Sequence, residues 1–364
     1  MKKKSYLYSL IVLSILIIST ILITLKLPTY KDESSEINKM SEAYNKCVEC
    51  FDKIKEYKIR HNINKTSLDK FDSYLIGDDS SAISTEEGDI KSKYTSINPN
   101  FAALYIKLFK EANLKENDWI GVNCSGSFIG LNISLLAAAS AYNLNVYLMA
   151  SVGASTYGAT DTDFNNVDIL HYLYTSNLIR YDVDLASFGG EADLGNEFNQ
   201  HIKESIKNRI VNQYHIEFID KNNFSDNVNY RYNKLKEHNI KLFVNVGGCT
   251  TSLGYKSDSF VITSLIGLIN KEDIGNRNIT SNNIGLIDKC LNEDISVIHM
   301  LHLKSLCSKY DMQFNFASIP SFKEEMVYYE YKYNKVLPII TISISIILFI
   351  LYYLDKKNII HLFK

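Results

Sequence analysis

The chain has 364 residues, and its 39 Lys and Arg nearly balance its 41 Asp and Glu, so the formal net charge at pH 7 is −2. This balance provides neither a basic surface for nucleic acid nor an acidic tail, and we expect no nucleic-acid partner. The part between the two apolar ends, about 300 residues, is long enough for one large domain or two small ones and needs no disulfides for stability.

Two uncharged apolar segments predict a transmembrane helix near each end, at residues 5–26 and 336–354. Crossing ~30 Å of hydrocarbon takes about 20 apolar residues, and only a helix can cross as a single segment. The alternatives are buried core helices and, for the first segment, a cleaved signal peptide. We favour an uncleaved anchor, because no small-x-small cleavage pattern occurs before Lys26.

Lysines outside both predicted spans indicate an orientation. They are Lys2, Lys3 and Lys4 before the first span and Lys356, Lys357 and Lys364 after the second. If these ends are cytoplasmic, the protein is a two-pass protein of the cell membrane whose central domain is extracytoplasmic. Lysines on the domain side of each span oppose this assignment.

Residues 33–92 are predicted as a helical stalk followed by a polar loop. The helical pattern extends toward Gly77, and an acidic, Ser-rich loop follows from Asp78 to Ser92. Cys47 and Cys50 form a C-x-x-C inside the helical pattern, whereas a thioredoxin-like motif would open a helix after a strand. We interpret them as packing residues on one helix face. The six cysteines suggest no disulfide framework.

Residues 95–320 are predicted to form an α/β domain. The predicted helices occupy residues 98–112, 128–142, 164–177, 194–213 and 225–238. The predicted strands occupy residues 119–124, 144–150, 181–186, 241–246, 294–298 and 313–317. This alternation predicts a mostly parallel sheet with helices on both faces.

Four of the predicted strands end in loops of small residues. In an open α/β sheet, ligands bind beyond the carboxyl ends of the strands, and Gly and Ser there let a ligand approach backbone N–H groups. Such a cleft would suit an anion such as a carboxylate or phosphate, although tight turns alone also favour Gly and Ser. The predicted ligand-binding residues are Ser125, Gly126, Ser127, Gly153, Ser155, Tyr157, Asp161, Gly189, Gly190, Asp193, Gly247 and Gly248.

A nucleophile is a further hypothesis for the first of these loops. Ser125 lies at a strand-to-helix turn, as in a nucleophile elbow, but the sequence around it is not G-x-S-x-G. Ser125 or the adjacent Cys124 would need a base, and His299 and His302 are the candidates; core packing or helix capping is the alternative role for these histidines. The chain lacks H-E-x-x-H, paired C-x-x-C, G-x-G-x-x-G and a Walker A lysine, and we predict no metal and no cofactor.

Several of these motifs resemble the poly-γ-glutamate system protein family. The resemblance rests on G-V-N-C-S-G-S-F from Gly121, on S-V-G-A-S-T-Y-G-A-T-D from Ser151, on Gly189-Gly190 with Asp193-Leu194-Gly195, and on N-V-G-G from Asn245. It covers about residues 119–254. The sequence departs from the family where Trp-Leu-Asp is expected after Phe164, although Asp168 keeps an acidic position nearby.

The resemblance implies an accessory membrane component of poly-γ-glutamate (capsule or secreted polymer) synthesis or export, with the cell membrane, synthase or export subunits, or the polymer as partners. It implies no catalytic residues, and an enzymatic role remains open. The alternatives are a membrane-anchored amidase or transpeptidase that uses Ser125 or Cys124, and a scaffold whose spans bind partner subunits.

Overall fold

The computed structural model describes residues 12, 14–20, 29–219, 221–255, 264–274, 283–333, 336–357 and 359. The chain divides into two compact units. One consists of Ser35–Tyr328, and the other combines Met1–Ser34 with Tyr329–Lys364. Strands and helices of the described residues are numbered below in chain order.

The terminal unit contains a two-stranded antiparallel sheet and a helix. Strand β1 (Thr29–Glu33) pairs with β9 (Tyr329–Tyr333), and helix α11 (Val336–Lys356) follows β9. Lys31 lies over the ring of Tyr329, with Nζ 3.5 Å from the ring centroid. Cross-strand pairs of this kind stabilise an isolated hairpin-like sheet.

The prediction of two transmembrane helices is wrong, and with it the two-pass membrane localisation on which the extracytoplasmic placement of the central domain rested. Crossing a bilayer takes about 20 consecutive apolar residues. Among the residues that the structure describes, no helix combines the necessary length with the necessary apolar character. Much of the first predicted span, residues 5–11, 13 and 21–26, lies outside the described residues.

The larger unit is an α/β fold with a mixed sheet. Its strands are β2 (Trp119–Cys124), β3 (Asn145–Ser151), β4 (Leu185–Ser187), β5 (Glu217–Phe218), β6 (Leu242–Val246), β7 (Gly267–Ile269) and β8 (Ser296–Met300). Their order in the sheet is β5-β4-β3-β2-β6-β8-β7. Neighbouring strands are parallel except for β7, which runs antiparallel to β8.

Helices precede, connect and follow these strands. They are α1 (Ile37–Arg60), α2 (Ile90–Ser96), α3 (Phe101–Glu111), α4 (Ile129–Ala141), α5 (Asn166–Thr175), α6 (Gln200–Asn208), α7 (Phe224–Glu237), α8 (Thr250–Leu253), α9 (Leu286–Asn292) and α10 (Leu303–Lys309). Helix α4 is apolar on every side and buried from Ile129 to Ala139, as expected of a helix enclosed by other elements. The central strands β2 and β6 are buried almost throughout, as expected of strands covered on both faces.

The packing of α1 bears out the interpretation of its cysteines. Cys47 and Cys50 are buried and free, and Cys47 Sγ lies 3.3 Å from Ser134 Oγ of α4. Burial raises the pKa of both thiols. Helix α1 ends at Arg60 instead of continuing toward Gly77, because Asn62 takes a left-handed conformation with φ 56°.

Other element boundaries differ from the predictions for local reasons. Helix α3 begins at Phe101, because the Asn98 side chain accepts a hydrogen bond from the Asn100 N–H and forms a turn there. Residues 313–317 are not a strand, and Asn315 within them has φ 52°, which a strand does not permit. Helix α6 begins only at Gln200, where Asn199 accepts a hydrogen bond from the Ile202 N–H.

Candidate functional site

The order of the strands creates a crevice between β2 and β6. From β2 the chain builds outward through β3, β4 and β5 on one side, and it then returns to place β6 and β8 on the other side. The loops that follow β2 and β6 therefore leave the sheet in opposite directions. Open α/β sheets bind ligands at such a topological switch point.

The two loops at this point lie very close together. Gly247, directly after β6, has φ 93°, and a Cβ atom added to it would lie 2.2 Å from Ser125 Oγ, directly after β2. Ser125 Oγ also accepts a hydrogen bond from the Ser127 N–H, at 3.4 Å. A glycine at position 247 is thus required both by the backbone conformation and by the approach of Ser125.

A cavity of about 190 Å³ lies at this crevice, and we call it the switch cavity. Its walls expose polar and apolar surface in similar amounts and contain glycines, hydroxyl groups, a thiol and carboxylates. The lining residues are Thr85, Glu86, Ser125, Ser127, Ser151, Gly153, Gly189, Gly190, Glu191, Glu197, Gly248, Cys249 and Thr250. The volume is below the ~300–1,000 Å³ of pockets for drug-sized ligands, so it suits a small ligand or one end of a longer one.

The lining of the cavity contains several hydrogen-bond donors. Ser125, Ser127 and Ser151 are buried, and the Ser151 hydroxyl makes no hydrogen bond with any described residue although Ser151 is only 4% exposed. Within the described part of the chain, the backbone N–H groups of Gly248 and Cys249 likewise lack an acceptor. Because buried polar groups normally have partners, the Ser151 hydroxyl favours a ligand that accepts hydrogen bonds, and the two half-buried N–H groups can donate to the same ligand.

Residues 77–88, which we call the strap, form one wall of the cavity. The strap runs along residues 152–165, the β3 loop, through backbone hydrogen bonds: Thr85 N–H donates to Ala154 O at 2.9 Å, and Thr156 N–H donates to Glu86 O at 3.0 Å. Gly88 N–H donates to Thr156 Oγ1 at 2.8 Å. These bonds bring Thr85 and Glu86 over the ends of the strands.

Lys93, in the middle of α2, is buried behind the cavity. Its Nζ donates to Ser127 O and, at 2.7 Å, to Ser155 Oγ. Burial lowers the pKa of Lys93 to about 7, and the charges of Glu86 and Asp89 partly oppose this. Lys93 thereby connects the loop after β2 with the β3 loop, but neither Lys93 nor Ser155 lines the cavity.

Residues 188–199, the β4 loop, form the opposite wall. Five of its residues have positive φ angles that disfavour side chains or require glycine: Gly189 (83°), Gly190 (76°), Ala192 (52°), Asp193 (64°) and Gly195 (59°). The Asp193 carboxylate is fully buried and pairs with Arg231 of α7, and it also accepts a hydrogen bond from Ser187 Oγ at 2.9 Å. This pair holds the loop in its strained conformation.

Half of the predicted ligand-binding residues line the cavity: Ser125, Ser127, Gly153, Gly189, Gly190 and Gly248. The others support the loops. Gly126 N–H donates to Gly153 O at 3.1 Å, Gly247 N–H to Met300 O at 3.0 Å, and Tyr157 N–H to Asp78 O at 2.7 Å. Ser155 and Asp193 bind Lys93 and Arg231, as described above.

Asp161, predicted to bind ligand, caps a turn in the structure. Its Oδ1 accepts hydrogen bonds from the N–H groups of Asp163 and Phe164, at 2.8 and 3.1 Å. The N-cap of α5 is Asn165, which forms a capping box with Asp168. The acidic position at Asp168 therefore has a structural explanation.

The four catalytic candidates are not brought together. Cys124 is 1% exposed and does not line the cavity, and burial raises its pKa. The ring of His299 is buried, its Nδ1 lies 3.1 Å from Asn245 Nδ2, and burial lowers its pKa to about 3. His302 is exposed at the start of α10. Among the described residues, neither histidine makes a hydrogen bond with Ser125 or Cys124.

Some residues of the site were not among the predicted ones. Thr85 and Glu86 lie in the polar segment predicted only as a loop, and Glu197 lies in a predicted helix. One indication was available in the sequence, because long segments without secondary structure in a compact domain often carry function. Glu191 and Cys249 directly adjoin predicted residues, Ser151 and Thr250 lie two positions from one, and these four residues complete the lining.

Comparisons of the chain with protein-family models, with curated proteins and with solved structures find no match.

Proposed function

We propose that this protein acts in the synthesis or export of poly-γ-glutamate by binding the polymer in the switch cavity. The observation that carries the proposal is the group of unpartnered donors in the cavity: the Ser151 hydroxyl and the N–H groups of Gly248 and Cys249. A carboxylate accepts up to about four hydrogen bonds, so it can satisfy several donors at once. A carboxylate is also the repeating group of γ-linked glutamate. The resemblance in sequence motifs supplies the identity of the polymer.

The size of the cavity supports binding of a single residue of the chain. About 190 Å³ leaves no room for several residues. The cavity is also open on one side, formed by Glu86, Glu191 and Glu197, which are all exposed. One residue can therefore enter while the rest of the polymer, or a synthase or export subunit that carries it, stays outside.

The geometry supports binding better than hydrolysis or transpeptidation. Within the part of the chain that the structure describes, Ser125 Oγ makes its hydrogen bond with a backbone N–H and not with a base. The nearest serine and base in hydrogen-bond contact are Ser155 and Lys93. A Cβ atom added to Gly88 of the strap would lie 3.2 Å from Ser155 Oγ, so the strap covers that hydroxyl. A substrate carbonyl would have to displace the strap to reach it.

Filling the cavity tests the proposal. A Cβ atom at Gly248 would meet Glu86 Oε1 at 3.6 Å, an ordinary contact, so both Gly248→Ala and Gly248→Leu fit the backbone, but only leucine occupies the cavity. In a polymer-producing cell that lacks the native gene, we expect the wild type and Gly248→Ala to restore cell-bound and released polymer, and Gly248→Leu to fail at equal protein level. Equal restoration by the leucine variant, or unchanged polymer in the deletion strain, would remove the proposal.

A further inference from the structure

The mouth of the switch cavity is acidic. It is formed by the exposed carboxylates of Glu86, Glu191 and Glu197. Glu191 Oε1 accepts a hydrogen bond from Tyr255 at 2.6 Å, and Glu197 Oε1 accepts one from the Glu191 N–H at 2.9 Å. The Glu86 carboxylate makes no hydrogen bond or ion pair with any described residue.

No cation of the described chain lines the cavity to balance these charges. The nearest one is Lys93, whose Nζ is turned toward Ser127 O and Ser155 Oγ. Burial raises the pKa of Glu86, the positive charge of Lys93 opposes this, and the negative charge of Glu197 adds a smaller upward effect. The carboxylates at the mouth thus repel one another and favour a positive group between them.

This charge pattern discriminates between the parts of a γ-linked glutamate chain. Each interior residue carries one α-carboxylate and no positive charge, so the mouth repels it. The amino-terminal residue alone carries an ammonium and a carboxylate on the same carbon. Its two charges match an acidic mouth and an interior that presents hydrogen-bond donors, including the unpartnered Ser151 hydroxyl, which is 4% exposed.

We infer, resting on the proposed function, that the switch cavity recognises the amino-terminal residue of a γ-glutamyl chain. Its ammonium lies between Glu86 and Glu197, and its α-carboxylate accepts hydrogen bonds from Ser151 and from the Gly248 and Cys249 N–H groups. The rest of the chain leaves through the mouth. Binding is therefore to a chain end and not along the polymer.

The test compares a synthetic γ-linked glutamate trimer that has a free amino group with the same trimer acetylated there. Titration calorimetry with the full chain at low salt is suitable, because exposed charges are screened at higher salt. We expect the free trimer to bind at least tenfold more tightly than the acetylated one. Glu86→Gln is expected to reduce this preference several-fold, and the matched variant Glu87→Gln, on the same strap but outside the cavity lining, is expected to keep it.

The outcomes separate this inference from the proposed function. Equal binding of both trimers, lost in Gly248→Leu, would overturn the inference and leave the proposed function standing. Binding of free glutamate, without binding of N-acetylglutamate or of any trimer, would support recognition of the ammonium. It would also show that the polymer is not the ligand and so overturn the proposed function. Binding of no probe would remove both. A preference that disappears with EDTA would overturn the inference, because the carboxylates would then be holding a metal ion.

Discussion

The β3 loop and the β4 loop both contribute to the lining of one cavity, yet they are held in different ways. Near the end of the β3 loop, Asp168 accepts hydrogen bonds from Arg209 Nε and Nη2 at 2.8 and 2.9 Å and from Tyr214 at 2.9 Å. Arg209 is 15% exposed, so water reaches this pair. In the β4 loop, Asp193 and Arg231 are 0% and 2% exposed.

The β4 loop therefore depends more heavily on its ion pair. Arg231 Nε has no hydrogen-bond partner among the described residues, and the loop around Asp193 contains a series of positive φ angles. The β3 loop has one such non-glycine residue, Tyr157, and is bound to the strap by backbone hydrogen bonds. Backbone strain in the cavity lining is thus concentrated in the β4 loop, where the fully buried Asp193–Arg231 pair holds the strained conformation.

Removing each arginine tests this difference and has the largest expected effect. Arg231→Met leaves the Asp193 carboxylate buried without its counter-ion, and we expect the free energy of unfolding to fall by about 3–5 kcal/mol. Arg209→Met leaves Asp168 with Tyr214 and a nearby solvent surface, so a loss of about 1–3 kcal/mol is expected. Urea denaturation of both variants measures this. Equal losses would contradict the distinction between the two loops.

The charge that supports the β3 loop responds to pH, whereas an arginine does not lose its proton. The pKa of Lys93 is about 7 in the folded chain against 10.5 for a free lysine, so between these values only the unfolded chain holds the proton. The free energy of unfolding therefore rises with pH across this window. Below pH 7 the folded chain carries the full destabilisation from burying the charged ammonium. The free energy of unfolding of the wild type minus that of Lys93→Met should therefore rise by about 2–3 kcal/mol from about pH 7 to about pH 9.5.

The matched control for this measurement is Lys91→Met, which removes an exposed lysine two residues away. The difference in free energy of unfolding between Lys91→Met and the wild type should stay constant over the same pH range. A constant difference for Lys93→Met as well would show that its ammonium does not bear the cost of burial.

The smallest expected effect concerns alanines in the two loops. Ala192 in the β4 loop has φ 52°, where glycine has no steric penalty, whereas Ala154 in the β3 loop is buried without a positive φ. Ala192→Gly should therefore change stability by less than about 0.5 kcal/mol, because relief of strain offsets the added flexibility of the unfolded chain. Ala154→Gly should cost about 1 kcal/mol. Thermal unfolding compares them, and a larger loss in Ala192→Gly would count against strain in the β4 loop.

The sequence predicted the parts of the site that have local patterns. Strand β2 could be located to the residue, because a short apolar segment ends directly in Ser and Gly at positions 125 and 126. The same pattern located Gly153, Gly189 and Gly248 in the cavity lining. These predictions depend only on residues that are adjacent in the chain.

The remainder of the site depends on distant pairs. Asp193 was predicted to bind ligand, but it pairs with Arg231, which is 38 positions away, and no local pattern indicates that partner. Lys93 contacts Ser155 across 62 positions for the same reason. The strap escaped prediction because it has no periodic apolar pattern and is ordered by hydrogen bonds to the β3 loop.

The backbone attachment of the strap has a consequence for how specificity can change. Bonds between main-chain groups, such as Thr85 N–H to Ala154 O, do not depend on which side chains the strap carries. Thr85 and Glu86 can thus be exchanged for other residues while the wall itself remains in place. In a family of related chains, the strap would be the segment where the chemistry of the cavity diverges while the sheet beneath it stays the same.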